Sequence, residues 1–266
     1  MSGSGPDAGP AARESSGTAA PDGGARARRR SIEATLQSHG LQLRGGWVPG
    51  PADAVPSLPA DRPVAVVWMV GQVGSAVWPH FAASAQARDG RPDPLDRWAK
   101  SIGQPLAAAL GGLAIFPSDG PPWPPFQRWA QRADPARPSP LGLLLHPAHG
   151  LWHAWRFALA LPTLHSDDAA ELHAQATQRP PVGEASALCA ACSGQPCLHT
   201  CPVQAFQPGR YDVDACAAHL HTPQGEDCMG LGCRARRACP VGGAAGYGPT
   251  QAAFHMTAFA RPRREA

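Results

Sequence analysis

The chain has 266 residues, 43% of them apolar, and a formal net charge of +3, which is length enough for one sizeable core and a small second one. So small a charge gives no electrostatic case for nucleic acid, and with Lys100 the single lysine among 23 basic residues, a bias toward Arg explains the basic content better than a binding face does. No stretch approaches the ~18 apolar residues of a membrane span, so none is expected.

Composition changes along the sequence. Residues 1 to 30 are mostly Gly, Ser, Ala and Pro and end in Arg26, Arg28, Arg29 and Arg30. They hold too little apolar surface to offset ordering and predict a disordered tail. RRRSIEATL has the look of a twin-arginine export signal, but no apolar stretch follows, so export is not expected. SIEATLQSHG, residues 31 to 40, predicts a helix with Ser31 as N-cap and Gly40 as stop. A Pro-rich loop follows over 48 to 63. The apolar run Val64 to Val70 predicts a buried strand, and Gly71 and Gly74 a turn rather than a phosphate loop. Asp93 and Pro94 open a helix with Leu95, Trp98, Ile102 and Leu106 at helical spacing, ended by Gly111 and Gly112. Pro105 should kink or split it. GLAIFP, 112 to 117, is a second short strand, SDGPPWPP a connector, and PFQRWAQRA a short helix.

Residues 141 to 161 predict two strands around a turn at Pro147 to Gly150. In the second, Leu151, His153, Trp155, Phe157 and Leu159 alternate with Trp152, Ala154, Arg156 and Ala158. SDDAAELHAQATQ predicts a short helix and RPPVG a boundary. The expected division is a tail over 1–30, an α+β body over 31–180 that could bind a cofactor, and a cysteine-dependent module over 181–266. All eight Trp lie at or before Trp155 and all eight Cys at or after Cys189.

The first cysteine run is CAACSGQPCLHTCP: Cys189-x2-Cys192-x4-Cys197-x3-Cys201, then Pro202. The second is Cys216-x11-Cys228-x4-Cys233-x5-Cys239, then Pro240. Disulfides suit small secreted chains, and this patch sits in a larger one. Zinc favours two C-x2-C pairs, of which only Cys189 and Cys192 make one. Ferredoxin loops read C-x2-C-x2-C-x3-C-P, and both runs here close in Cys-Pro-Val, so iron–sulfur is the best match. Two [4Fe–4S] clusters on eight thiolates would turn the net charge slightly negative. Arg234, Arg236 and Arg237 would then favour the reduced state; an ordinary solvated basic turn or a phosphate contact accounts for them equally well.

CAACSGQPCLHTCP, YDVDACAAHL and GCRARRACP resemble the dicluster ferredoxin domain of epoxyqueuosine reductases and, further off, that of corrinoid-dependent reductive dehalogenases. The family closes its second cluster with C-x2-C-x3-C-P, where this chain has gaps of four and five. The resemblance implies eight cluster ligands, Cys189, Cys192, Cys197, Cys201, Cys216, Cys228, Cys233 and Cys239. It also implies a crossover, with Cys239 joining the first three and Cys201 joining Cys216, Cys228 and Cys233. Upstream, IFPSDGPPWPPFQRWA and LLLHPAHGLWHAWRFAL look like cobalamin-processing proteins related to the human methylmalonic aciduria type C protein. That implies a flavin-reductase-like α+β body and a cobalamin site. His146, His149, Trp152, His153 and Trp155 are the candidates for lining a flat cofactor pocket, beside the simpler reading of a packed hairpin. His255, in AAFHMTAF, belongs to a docking helix rather than to a ligand site.

Three functions follow. One is a cytoplasmic two-cluster electron-transfer protein with a redox partner protein, since oxygen-labile clusters suit a reducing compartment. The second is an oxidoreductase, a cobalamin-dependent reductase of the epoxyqueuosine type. The third is a zinc-stabilised interaction module without redox chemistry.

Overall fold

Two long apolar strands run through the centre of the computed structural model, which describes residues 22–178, 184–207 and 209–261. In chain order the body comprises α1 (Asp22–Gln37), β1 (Gln42–Trp47), β2 (Val66–Val73), α2 (Trp78–Ala82), α3 (Ala85–Arg88), α4 (Pro94–Ala109), β3 (Leu113–Ile115), α5 (Phe126–Ala133), β4 (Arg137–Pro138), β5 (Leu144–Leu145), β6 (His153–Leu161) and α6 (Ser166–Gln178). The cysteine part comprises α7 (Glu184–Ala190), α8 (Pro196–His199), β7 (Phe206–Gln207), β8 (Arg210–Tyr211), α9 (Val213–Leu220), α10 (Glu226–Leu231), α11 (Arg234–Arg237) and α12 (Pro249–Ala260). The molecule is α+β. No described helix is long and apolar enough to cross a membrane.

The body's sheet has the order β1-β2-β6-β3 with every neighbour antiparallel. Both faces are covered, and side chains alternate between them as a strand's period of two requires. From β2 and β6, Val66, Trp68, Val70, Phe157, Leu159 and Leu161 enter the core under α1 and α4, beside Leu36, Trp98 and Ile102. Val67, Met69, Ala158 and Ala160 enter the core under α5, with Trp129.

Four details depart from the sequence expectations. The helix predicted from Ser31 begins already at Asp22, inside the stretch expected to be disordered. Its arginines have partners: Arg28 pairs with Asp168 of α6 at 3.2 Å, and Arg29 lies over the ring of Trp68. Pro105 does not split α4. It lies on the exposed side, where water serves the carbonyl that loses its N–H. The strands around Pro147 to Gly150 do not form one hairpin, since β5 pairs with β4 and only a His146–Gly150 bridge closes the turn. Strand β1 lies in residues 41 to 47, which carried no prediction; a register shift there seats Gly46 against the Trp68 ring. The first 21 residues of the tail and the RPPVG boundary lie outside the described residues.

Candidate metal centres and an adjoining cleft

The cysteine part is a set of short elements that each deliver a thiol. Cys189 ends α7, Cys197 lies in α8, and Cys201 follows α8 directly, its sulfur receiving the Ala205 N–H at 3.4 Å. The β7–β8 hairpin, with Phe206 stacked on Tyr211, returns the chain to Asp212. Asp212 caps α9 by accepting the Ala215 N–H at 3.0 Å, which positions Cys216 one residue on. Cys228 lies in α10, and Cys233 and Cys239 flank α11. No disulfide joins any pair, and each thiol is buried or half-buried.

The thiols influence one another's ionisation unevenly, Cys239 acting on the first run and Cys201 on the second. Burial pushes the Cys189 thiol above its usual range, and the charges of Cys239, Cys197 and Cys192 add to it. Cys197 is raised in the same way, by burial and then by Cys239 and Cys192. Burial also raises Cys216, against a hydrogen bond from Tyr211, with Cys201 and Cys228 contributing. Cys233 is raised by burial and by Cys216 and Cys228, while the N–H groups of Arg236 and Ala235 oppose the shift. Cys239 thus stands with Cys189, Cys192 and Cys197. Cys201 stands with Cys216, Cys228 and Cys233, and these four line one small apolar pocket with Phe206 and Met256. No three His, Cys, Asp or Glu side chains among the described residues are set to hold a metal ion directly.

Between the body and the cysteine part lies a cleft of about 410 Å³. Its body wall comes from a bulge in β6. Val70 faces Phe157 and Gly71 faces Trp155, so Arg156 is the extra residue. The bulge breaks the expected alternation: Phe157 stays in the core under α4 while Trp155 turns to the other face. His153, Trp155 and Arg156 line the cleft from one side, and Arg236, Tyr247 and His255 from the other.

Of the five residues predicted to line a cofactor pocket, His153 and Trp155 line this cleft. His146 and His149 stack on each other at 4.3 Å, and His146 is held 3.2 Å from Asp134. Trp152 is buried behind the cleft, its ring against Tyr247. Asp134 and Arg44 form a buried ion pair at 2.7 Å, and Arg44 also donates to the Gln72 carbonyl at 3.1 Å. The Gln72 side chain accepts from Arg156 at 2.8 Å, which steers that guanidinium along the cleft. Burial and the nearby Arg44 charge push the His153 pKa down to about 3. Burial lowers that of His255 to about 4, helped by Arg156 and Arg236. Arg156 and Tyr247 were missed from the sequence. A lone arginine inside the apolar run of β6 was the one available signal.

The cysteine part docks tightly. A Cβ on Gly150 would stand 1.9 Å from the Val241 carbonyl oxygen, so the two backbones touch just beyond Cys239 and Pro240. The Gly248 N–H donates to Ser75 Oγ at 2.9 Å. Phe254 of α12 packs its ring 5.5 Å from Trp78 and 5.2 Å from Phe81, so α12 is a docking helix. His255 beside it lines the cleft as well.

No model of a known protein family matches the chain, and no curated protein does. Among solved structures it is similar to the C. elegans B12-trafficking protein CblC, described as a human MMACHC homologue, at 14% identity and a TM-score of 0.42, over 90% of this chain and 92% of that one.

Proposed function

We propose that the chain is an iron–sulfur electron carrier with two [4Fe–4S] clusters. Cys189, Cys192, Cys197 and Cys239 would hold one, and Cys201, Cys216, Cys228 and Cys233 the other. The observation that carries this reading is the coupling among the eight thiols, in which Cys239 acts on Cys189 and Cys197 and Cys201 acts on Cys216. Exchange of the last cysteine is the ligand pattern of two-cluster ferredoxins. A zinc ion would draw four sulfurs to about 2.3 Å from one point, whereas a cube spreads its thiolates around a wider body. When bound, the clusters supply one-electron transfer, to a partner protein or to a cofactor in the cleft. The chain's own contribution is an apolar shell that excludes water, and N–H donors aimed at sulfur: Ala205 at Cys201, and Ala235 and Arg236 at Cys233. Such hydrogen bonds stabilise the more negative, reduced state and raise its potential.

The finer part of the reading puts a corrinoid in the cleft, making the protein a cobalamin-linked reductase. The cleft and an adjoining one of about 400 Å³ share Arg156 and His255, and both lie in the range of ligand sites. Trp155 and Tyr247 line the first of them with aromatic rings. Anaerobic reconstitution with iron and sulfide tests the first part: about eight irons and eight sulfides per chain, with broad absorbance near about 400 nm, are expected. Colourless protein loaded with zinc would sink it. Cobalamin added to the reconstituted protein should alter the corrinoid spectrum; an unaltered spectrum removes the corrinoid and leaves the electron carrier standing.

A further inference from the structure

The four-residue helix α11 spans the gap between Cys233, of one thiol set, and Cys239, of the other. Its ends are therefore tied to two different centres. Ala235 is fully buried in the core that contains Cys201, Cys239 and the half-buried thiols. The next residue, Arg236, points the opposite way, into the body. Arg234 and Arg237 both pair with Asp227, whereas Arg236 has no ion-pair partner among the described residues. Its guanidinium lies 4.5 Å from the centroid of Trp152 and 4.5 Å from that of Tyr247. Trp152 belongs to the body and Tyr247 to the segment after the last cysteine, so the cation is clamped between the two parts. It also donates to the backbone carbonyl of Leu151, two residues before β6. Arg236, Tyr247 and His255 form the whole wall of the cleft that faces β6 from the cysteine part.

We propose that Arg236 is a positioning residue that couples cluster loading to closure of the cleft. The inference rests on the two-cluster reading above. Loading fixes Cys233 and Cys239, and with them the register of α11, so the guanidinium is seated between Trp152 and Tyr247 only when both thiol sets are filled. An empty set frees one end of α11, withdraws the cation and lets the seam beside Leu151 open. Linkage is reciprocal, so closing the seam also favours loading. The device makes the cleft competent only when its electron source is in place.

Amide hydrogen exchange on the full chain tests this, comparing metal-free protein with protein loaded anaerobically with iron and sulfide, iron being counted in each sample. In the wild type, loading should slow exchange of the 149–155 and 241–248 amides by about tenfold or more, as expected when two cation–π contacts and a carbonyl hydrogen bond form. Arg236→Ala should take up the same iron and lose the loading-dependent slowing in 149–155, to within about twofold of its metal-free form. Arg236→Lys, which keeps the cation, should restore part of it. A residue needed merely for structure would speed exchange equally with and without iron. Should Arg236→Ala fail to load, Trp152→Leu, remote from the cysteines in sequence, must show the same loss. Full iron uptake with undiminished slowing in both variants overturns the coupling and leaves the electron carrier intact. A wild type that takes up no iron overturns both.

Discussion

His153 is kept neutral by its surroundings. It is 7% exposed, its ring reaches the Leu144 carbonyl at 3.0 Å, and burial with the Arg44 charge holds its pKa near about 3. His255 is held near about 4 mainly by burial. An unfolded histidine titrates at about 6.5, so on acidification the unfolded chain takes up protons first. The stability these residues contribute is complete above about pH 6.5 and is lost as the pH falls toward 4 and then 3. Urea midpoints between about pH 7.5 and 4.5 should fall, and His153→Gln should flatten the decline; an equally steep decline in the variant would refute the assignment. Gly150 is a second single-residue determinant, with φ +57 and the Val241 carbonyl where a side chain would stand. Gly150→Ala should cost about 1–3 kcal/mol in urea unfolding, and a loss of only a few tenths would mean the seam yields freely. Neither role could be read from the sequence. HPAHGLWH shows a turn and three histidines, but the Arg44 charge beside His153 and the Val241 backbone against Gly150 come from segments about a hundred residues away.

At the scale of elements, regular periodicity was legible and interruptions of it were not. The helical spacing of Leu95, Trp98 and Ile102 gave α4, and the bounds of SDDAAELHAQATQ coincide with α6. Strand β6 was visible from its apolar run, but the bulge at Arg156 depends on how β2 registers against it, which only pairing decides. Yet that bulge turns Trp155 and Arg156 toward the cleft. Helix α12 was expected to dock, and its two faces explain why. Phe254 joins the body's core, while Met256, Phe259 and Ala260 join the core around Cys228 and Leu220. Phe254→Ala should therefore lower stability by about 2 kcal/mol, below the usual loss for a fully buried ring because this one is half-buried. It should also raise the rate at which a thiol reagent reaches Cys228 in metal-free protein. Unchanged thiol reactivity would show that α12 holds the two parts together without supporting the second thiol set.

At the scale of the whole molecule, the body and the cysteine part meet just beyond the last cysteine, at Gly150 and Val241. The crossover is implied only by resemblance to two-cluster ferredoxins, since the gaps of four and five before Cys233 and Cys239 do not themselves say which sulfur goes where. The charge of Cys239 acts on Cys189 and Cys197, and that of Cys201 on Cys216, as the proposed crossover requires. This makes the pairing testable by counting. Cys197→Ala combined with Cys239→Ala removes two ligands of one set, so about four irons should remain per chain after reconstitution. Cys197→Ala combined with Cys201→Ala removes one ligand from each set, although these cysteines are only four residues apart, and should leave close to none. Uncrossed runs would give the reverse: the neighbouring pair would spare one cluster and the distant pair would lose both. A single cluster keeping three thiolates could retain some iron, so electron paramagnetic resonance of the reduced protein should accompany the count. Signals from two interacting clusters should survive in neither double variant. A single undisturbed cluster should remain only where Cys197 and Cys239 are lost together. If it remains where Cys197 and Cys201 are lost, the two runs are independent loops and the interlocked architecture is wrong.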